Sequence, residues 1–383
     1  MPSDREITGG IRWFATAKSV EHGDPENFRD ETSFVVLENN GNQTSGSQKN
    51  NADRAITGAV DPDWVSKKQS TNTKQNNKTP LQYQNANQLW DYWKNMLAQS
   101  ELQQIPIVNA LLAARLRNQT HPDIYDNIDA LLRDPDFPIE NKALLLDLLS
   151  ETATPESLAL LLELIKEGTE SPLYAFDLQA IARIGENLWN GQFHEELSEE
   201  LEGAWSDPPI ADEAFLIAVG KGIANIGAAS GISLLLQSVP GSPQASKTTV
   251  KKNDAQIERT LSTVAFKVLK DEVHNPSAIT PLNDCLEQSE QDSPASEVCI
   301  TTLPKINTLE ATKPVLKKLL TAKPVKATSV PTILCSITAP DSQNMVIDAA
   351  NSEIFASAEV QSAVSAVASD FAAGSGDACG TGK

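Results

Sequence analysis

The chain has 383 residues, a formal net charge of −20, and 40% apolar but only 5% aromatic residues. Its length exceeds one compact core, and its acidic balance repels phosphates, so nucleic acid is not expected as a partner. No stretch approaches eighteen uninterrupted apolar residues, so no transmembrane helix is expected.

Residues 1–85 read as a largely disordered N-terminal arm. The tract from Asn39 to Pro80 is crowded with Asn, Gln, Ser, Thr, Lys and Gly, and it buries too little apolar surface to offset chain entropy. Two patches, Ile11–Phe14 and Phe34–Leu37, read as short strands or docking segments. The first ten residues are polar, with no apolar signal core. The default compartment is therefore the cytoplasm, with a periplasmic or secreted location as the alternative if the cysteines are oxidised.

Helical order is expected from about residue 86 to 372. Leu89, Trp90, Trp93, Met96 and Leu97 recur at helical spacing, followed by Ile105, Val108, Leu111, Leu112 and Leu116. The adjacent Trp90 and Trp93 read as an end cap rather than a ligand platform. From His121 onward a short turn precedes a helix-length apolar stripe, again and again. The turns centre on Pro122, Pro155, Gly191, Ser230, Pro276, Glu310 and Asp341, at steps of 33, 36, 39, 46, 34 and 31 residues. Such a period marks arrays of helix pairs that hide their apolar faces on their neighbours.

Individual boundaries are legible too. Thr154 is a natural N-cap before Pro155, and Gly168, Gly185 and Gly227 read as helix stops. The step of 46 is explained by a polar inserted loop over 240–253, made locally basic by Lys247, Lys251 and Lys252. Prolines 304, 314, 324, 331 and 340 predict short, irregular helices near the end, before a flexible tail over 373–383.

The run Ala143–Leu149, then Ala153-Thr154-Pro155-Glu156 and Ser157–Ile165, resembles HEAT repeats, and Ala218–Ile232 is similar to their short bacterial version. The resemblance implies an all-α fold: a right-handed α-solenoid of about six or seven helix hairpins. It also implies a protein or peptide partner held on a concave surface.

Charge is unevenly spread. From Asp123 to Glu213 there are 22 acidic and 4 basic residues, and Glu195, Glu196 and Glu199 crowd one helix. From Thr301 to Lys326 six lysines, among them Lys313, Lys317 and Lys318, face only Glu310. These two sets are the candidate partner contacts, against the plainer reading of solvated faces. Cys285 and Cys299 lie 14 residues apart on consecutive expected helices, a spacing compatible with a disulfide. Cys335 reads as plain core and Cys379 as exposed.

Four scattered histidines lack the i+4 companion a metal pair needs, and no G-x-S-x-G elbow or P-loop occurs. No catalytic residue, cofactor or metal is therefore expected. The leading expectation is a non-catalytic interaction scaffold; the alternative is an enzyme or accessory lyase with a carboxylate-lined groove.

Overall fold

A computed structural model describes residues 84–99, 102–119, 121–187, 189–210, 212–243, 255–290, 292–321, 325–374 and 378–380. The expected N-terminal arm up to residue 83, with its two apolar patches, lies outside the described residues. So does most of the inserted loop, including Lys247, Lys251 and Lys252. Among the described residues there are sixteen α-helices and no strand.

The helices alternate between two layers after α1 (Ala86–Gln99), which packs on α2. One layer holds α2 (Ile105–Asn118), α4 (Ile139–Thr152), α6 (Tyr174–Arg183), α8 (Glu213–Ile226), α10 (Ala255–Glu272), α12 (Pro294–Thr302), α14 (Val330–Leu334) and α16 (Ala358–Ala373). The other holds α3 (Pro122–Arg133), α5 (Pro155–Ile165), α7 (His194–Ser206), α9 (Ala229–Gln237), α11 (Ile279–Gln288), α13 (Leu309–Thr321) and α15 (Pro340–Ser352). Within each layer every helix packs on the next of its own parity.

All seven turns found in the sequence lie at the starts of odd-numbered helices, where backbone geometry is most demanding. At α5 the Thr154 hydroxyl accepts from the Ser157 amide at 3.2 Å, and the Ser157 hydroxyl accepts from the Thr154 amide at 2.8 Å. That reciprocal cap satisfies two amides the helix cannot reach. Asp212 caps α8, accepting from Phe215 at 3.2 Å, and Gly227 ends it at φ +68°. Helix α8 is buried nearly all round because it has neighbours in both layers.

Gly185 does not stop a helix through a left-handed backbone. Helix α6 already ends at Arg183, and a Cβ at Gly185 would lie 2.7 Å from the Gly222 carbonyl oxygen. It is instead the point where the C-terminal end of α6 meets α8. The prolines near the end behave as their chemistry requires, with Pro331 and Pro340 in first turns. Pro314, however, lies inside α13.

The even layer is joined by side chains that hydrogen-bond the C-terminal carbonyls of neighbouring helices. Trp189 Nε1 donates to Glu151 O at 2.9 Å, Asn225 Nδ2 to Ala182 O at 3.1 Å, and Asn275 Nδ2 to Ile226 O at 2.9 Å. Thr302 Oγ1 donates to Leu269 O at 3.0 Å, and Lys305 Nζ to Lys270 O. Each bond satisfies a carbonyl that the helix leaves unpaired. Because the joined ends are all C-terminal, these helices run parallel.

Two disulfides close the C-terminal third. Cys285 of α11 is bonded to Cys299 of α12, with Cα atoms 6.4 Å apart and both residues fully buried. Cys335 is bonded to Cys379 across 44 residues, with Cα atoms 5.5 Å apart. Cys335 is thus not plain core, and Cys379 does not project freely; both are half-buried. The cause lies at the end of α16. Gly374 reverses the chain at φ +63°, and the buried Asp370 carboxylate accepts from the Ala378 and Cys379 amides. Because thiol attack needs access, dithiothreitol should open Cys335–Cys379 well before Cys285–Cys299. Timed alkylation with mass spectrometry checks this; equal rates for the two bonds would contradict it.

Candidate functional site

The outer faces of the two layers differ in chemistry. On the odd layer, exposed carboxylates dominate: Asp123 and Asp126 on α3, Glu156 and Glu163 on α5, and Glu195, Glu196 and Glu199 on α7. The even layer instead shows large apolar side chains. Ile107, Ile139 and Phe176 are 49%, 39% and 39% exposed, one on each of α2, α4 and α6.

These three residues form a row in that each stands at the N-terminal end of one of three helices packed in succession. Arg183 of α6 pairs with Asp147 of α4 at 3.0 Å on the solvent side. Phe176 stands seven residues before Arg183 and so returns to nearly the same face two turns away, whereas Ile139, eight residues before Asp147, lies about 80° round its helix from that carboxylate. Arg117 near the end of α2 reaches Thr152 and Ala153 at the end of α4, so these two helices run side by side in the same direction. Half-buried Leu111 lies one turn further along α2.

At the opposite, C-terminal end of these helices sits a buried cation. Arg117 is 4% exposed and donates to the carbonyls of Thr152, Ala153 and Gln192, the last at 3.0 Å. Its guanidinium carbon lies 5.1 Å from the Trp189 ring centroid and 5.3 Å from that of Phe193. Trp189 and Phe193 hold φ of +36° and +61°, a backbone region disfavoured for bulky residues. Burial lowers the Arg117 pKa to about 10, which leaves it charged at neutral pH.

Two carboxyls in this region are displaced upward. Burial pushes half-buried Glu151 to about 7, against the pull of Arg183 and with the push of Asp147. Asp177 is 1% exposed, its Oδ1 has no hydrogen-bond partner, and burial followed by the charge of Glu167 raises it to about 8.

The two charged sets singled out from sequence are not brought together. Glu195, Glu196 and Glu199 are exposed at the start of α7, while Lys313, Lys317 and Lys318 belong to α13, with α9 and α11 between. Lys317 pairs with Glu287 at 2.9 Å, and Lys318 donates to Leu286 O at 3.0 Å at the end of α11. Lys313 is exposed, and Lys323 lies outside the described residues. Of these three lysines, Lys318 bonds a helix-end carbonyl, while the Lys317–Glu287 pair is exposed and contributes little to stability.

Trp90 and Trp93 are stacked at 5.3 Å and buried, with Trp93 Nε1 donating to Asn109 Oδ1 at 2.7 Å, so they form core rather than a platform. A groove of ≈ 590 Å³ beside α16 is lined by small residues such as Ala327, Ser362 and Ala366, and carries one carboxylate, Glu359. Among the described residues no three His, Cys, Asp or Glu side chains converge as a metal set.

The apolar row was not visible in the sequence. Ile107 and Ile139 follow Pro106 and Pro138 at helix starts, where an apolar residue reads as one more packing position. Only the placement of neighbouring helices shows that, among the described residues, no element covers them. No protein-family profile, curated protein or solved structure matches the chain.

Proposed function

We propose that the chain is a HEAT-like α-solenoid acting as a non-catalytic scaffold that holds a protein or peptide partner. The observation carrying this reading is the row of exposed Ile107, Ile139 and Phe176 across three parallel helices. A row of large apolar side chains left open to water is what an interaction face presents. Repeat arrays generate such faces because each hairpin contributes one equivalent position. The enzyme reading has less support, since the groove beside α16 carries a single carboxylate and Glu151 stands beside a cation already paired with Asp147. The two disulfides favour an oxidising compartment over the cytoplasmic default.

A photo-crosslinking residue placed at Ile139 or Phe176 in the full chain tests the scaffold. In extract of the native host, discrete protein adducts are expected from these positions and none from Glu163 on the odd layer. Absence of protein adducts from every position on both layers would reject it.

A further inference from the structure

The apolar row lies on an acidic edge, and the two together specify a partner. Asp134, Asp136 and Glu140 surround Ile139 in sequence, Glu170 precedes Phe176, and Glu213 opens α8. All five are exposed at the N-terminal end of the even layer, where the three anchors also stand. Among the described residues none of the five has a cation within ion-pair distance. Elsewhere on this half of the molecule, by contrast, Arg133 bridges Asp129 and Glu167. The edge thus combines exposed apolar surface with uncompensated negative charge.

The spacing of the row narrows the shape of the occupant. Packed helices stand about 8–10 Å apart, so successive anchors step by roughly that distance. An α-helix advances about 10 Å in seven residues and returns to nearly the same face, drifting by about 20°. Side chains seven apart on one helix therefore meet successive anchors. An extended strand covers about 10 Å in three residues, but side chains three apart point to opposite faces. Resting on the scaffold reading above, we propose that this edge is a docking site for a basic amphipathic α-helix lying across α2, α4 and α6. Its apolar side chains at seven-residue intervals meet Ile107, Ile139 and Phe176, and its lysines or arginines meet Asp136, Glu140 and Glu170.

The probe is a synthetic helical peptide of about twenty residues, long enough to span three helices. It carries leucines seven apart on one face with lysines beside them. A control isomer of equal charge scatters the leucines around the helix. Fluorescence anisotropy with the full chain should show the patterned peptide binding at least about tenfold tighter than its isomer. Ile139→Asp and Phe176→Asp should each remove that preference. Both residues are 39% exposed, and an unchanged circular-dichroism melt shows that the fold is intact. Combined Asp136→Lys and Glu140→Lys changes should weaken binding chiefly at low salt, because an exposed charge term is screened at high salt.

Equal binding of the two peptides overturns the proposal, as does full retention of the preference in folded Ile139→Asp and Phe176→Asp variants. The scaffold reading fails separately. A protein crosslinked from Phe176 that the patterned peptide does not displace leaves the scaffold standing and overturns the basic helix.

Discussion

Replacing Arg117 with methionine should cost about 2–4 kcal/mol of stability, the order expected when buried carbonyls lose a charged hydrogen-bond donor. At a few degrees per kcal/mol, this should lower the melting midpoint by on the order of 10 °C. Burying a guanidinium is itself costly, as the lowered pKa of about 10 shows. What offsets the cost is local: three carbonyl acceptors and two aromatic rings. Thr152 and Ala153 lie at the C-terminal end of α4, where carbonyls are unpaired and the helix dipole favours a cation. Methionine fills part of the volume but leaves those acceptors buried without a donor. Lysine keeps the charge and loses the planar fork, so Arg117→Lys should recover only part of the loss. Urea melts of the three proteins check this. A methionine variant that melts with the wild type would show that the carbonyls find other donors and that Arg117 holds nothing together.

The odd-numbered helix starts were the most legible part of the chain, and the reason is physical. A helix start needs a side-chain acceptor or a residue without an amide proton, so Thr154-Pro155 and Asn275-Pro276 announce themselves. The joints of the even layer make no such demand. Any donor that reaches a carbonyl suffices, and here the donors are Arg117, Trp189, Asn225, Asn275, Thr302 and Lys305. No pattern of residue types survives that freedom. The lysine-rich end shows the same freedom: Lys318 and Lys305 lie in a run of like charge in sequence, and both bond helix-end carbonyls in the fold.

Pairings over distance were also hidden. Cys335 sits among Ile333 and Leu334 and looks like core; its bond to Cys379 depends on a chain reversal at Gly374 and on the carboxylate of Asp370. Gly185 shows a third kind of ambiguity. A glycine after an apolar stripe suggests a left-handed stop, but equally a close approach, and only the position of Gly222 decides between them. The candidate site inherits all of this, because exposure is a property of what is missing beside a residue.

Replacing Asp177 with asparagine should leave stability nearly unchanged below about pH 4 and raise it progressively above that, by several kcal/mol at about pH 8. Asp177 titrates at about 8 in the fold, against roughly 3.9 for an unfolded aspartate. The folded value is the higher one, so the native state keeps a proton that the unfolded chain has released. Stability linked to this proton is fully present below about pH 4 and is lost as pH rises toward 8, by up to about 1.4 kcal/mol per pH unit. Asparagine is neutral throughout and nearly isosteric, so the variant should lack this slope. The window follows from burial first and from the charge of Glu167 second, with no cation opposed to either. Phe176 beside it points to solvent while Asp177 points inward, so the change should leave peptide binding at the apolar row intact. Urea melts of both proteins across this pH range provide the measurement. Parallel curves would mean that Asp177 is ionised where it stands, held by a counter-charge, and the burial argument for its displaced titration would fall.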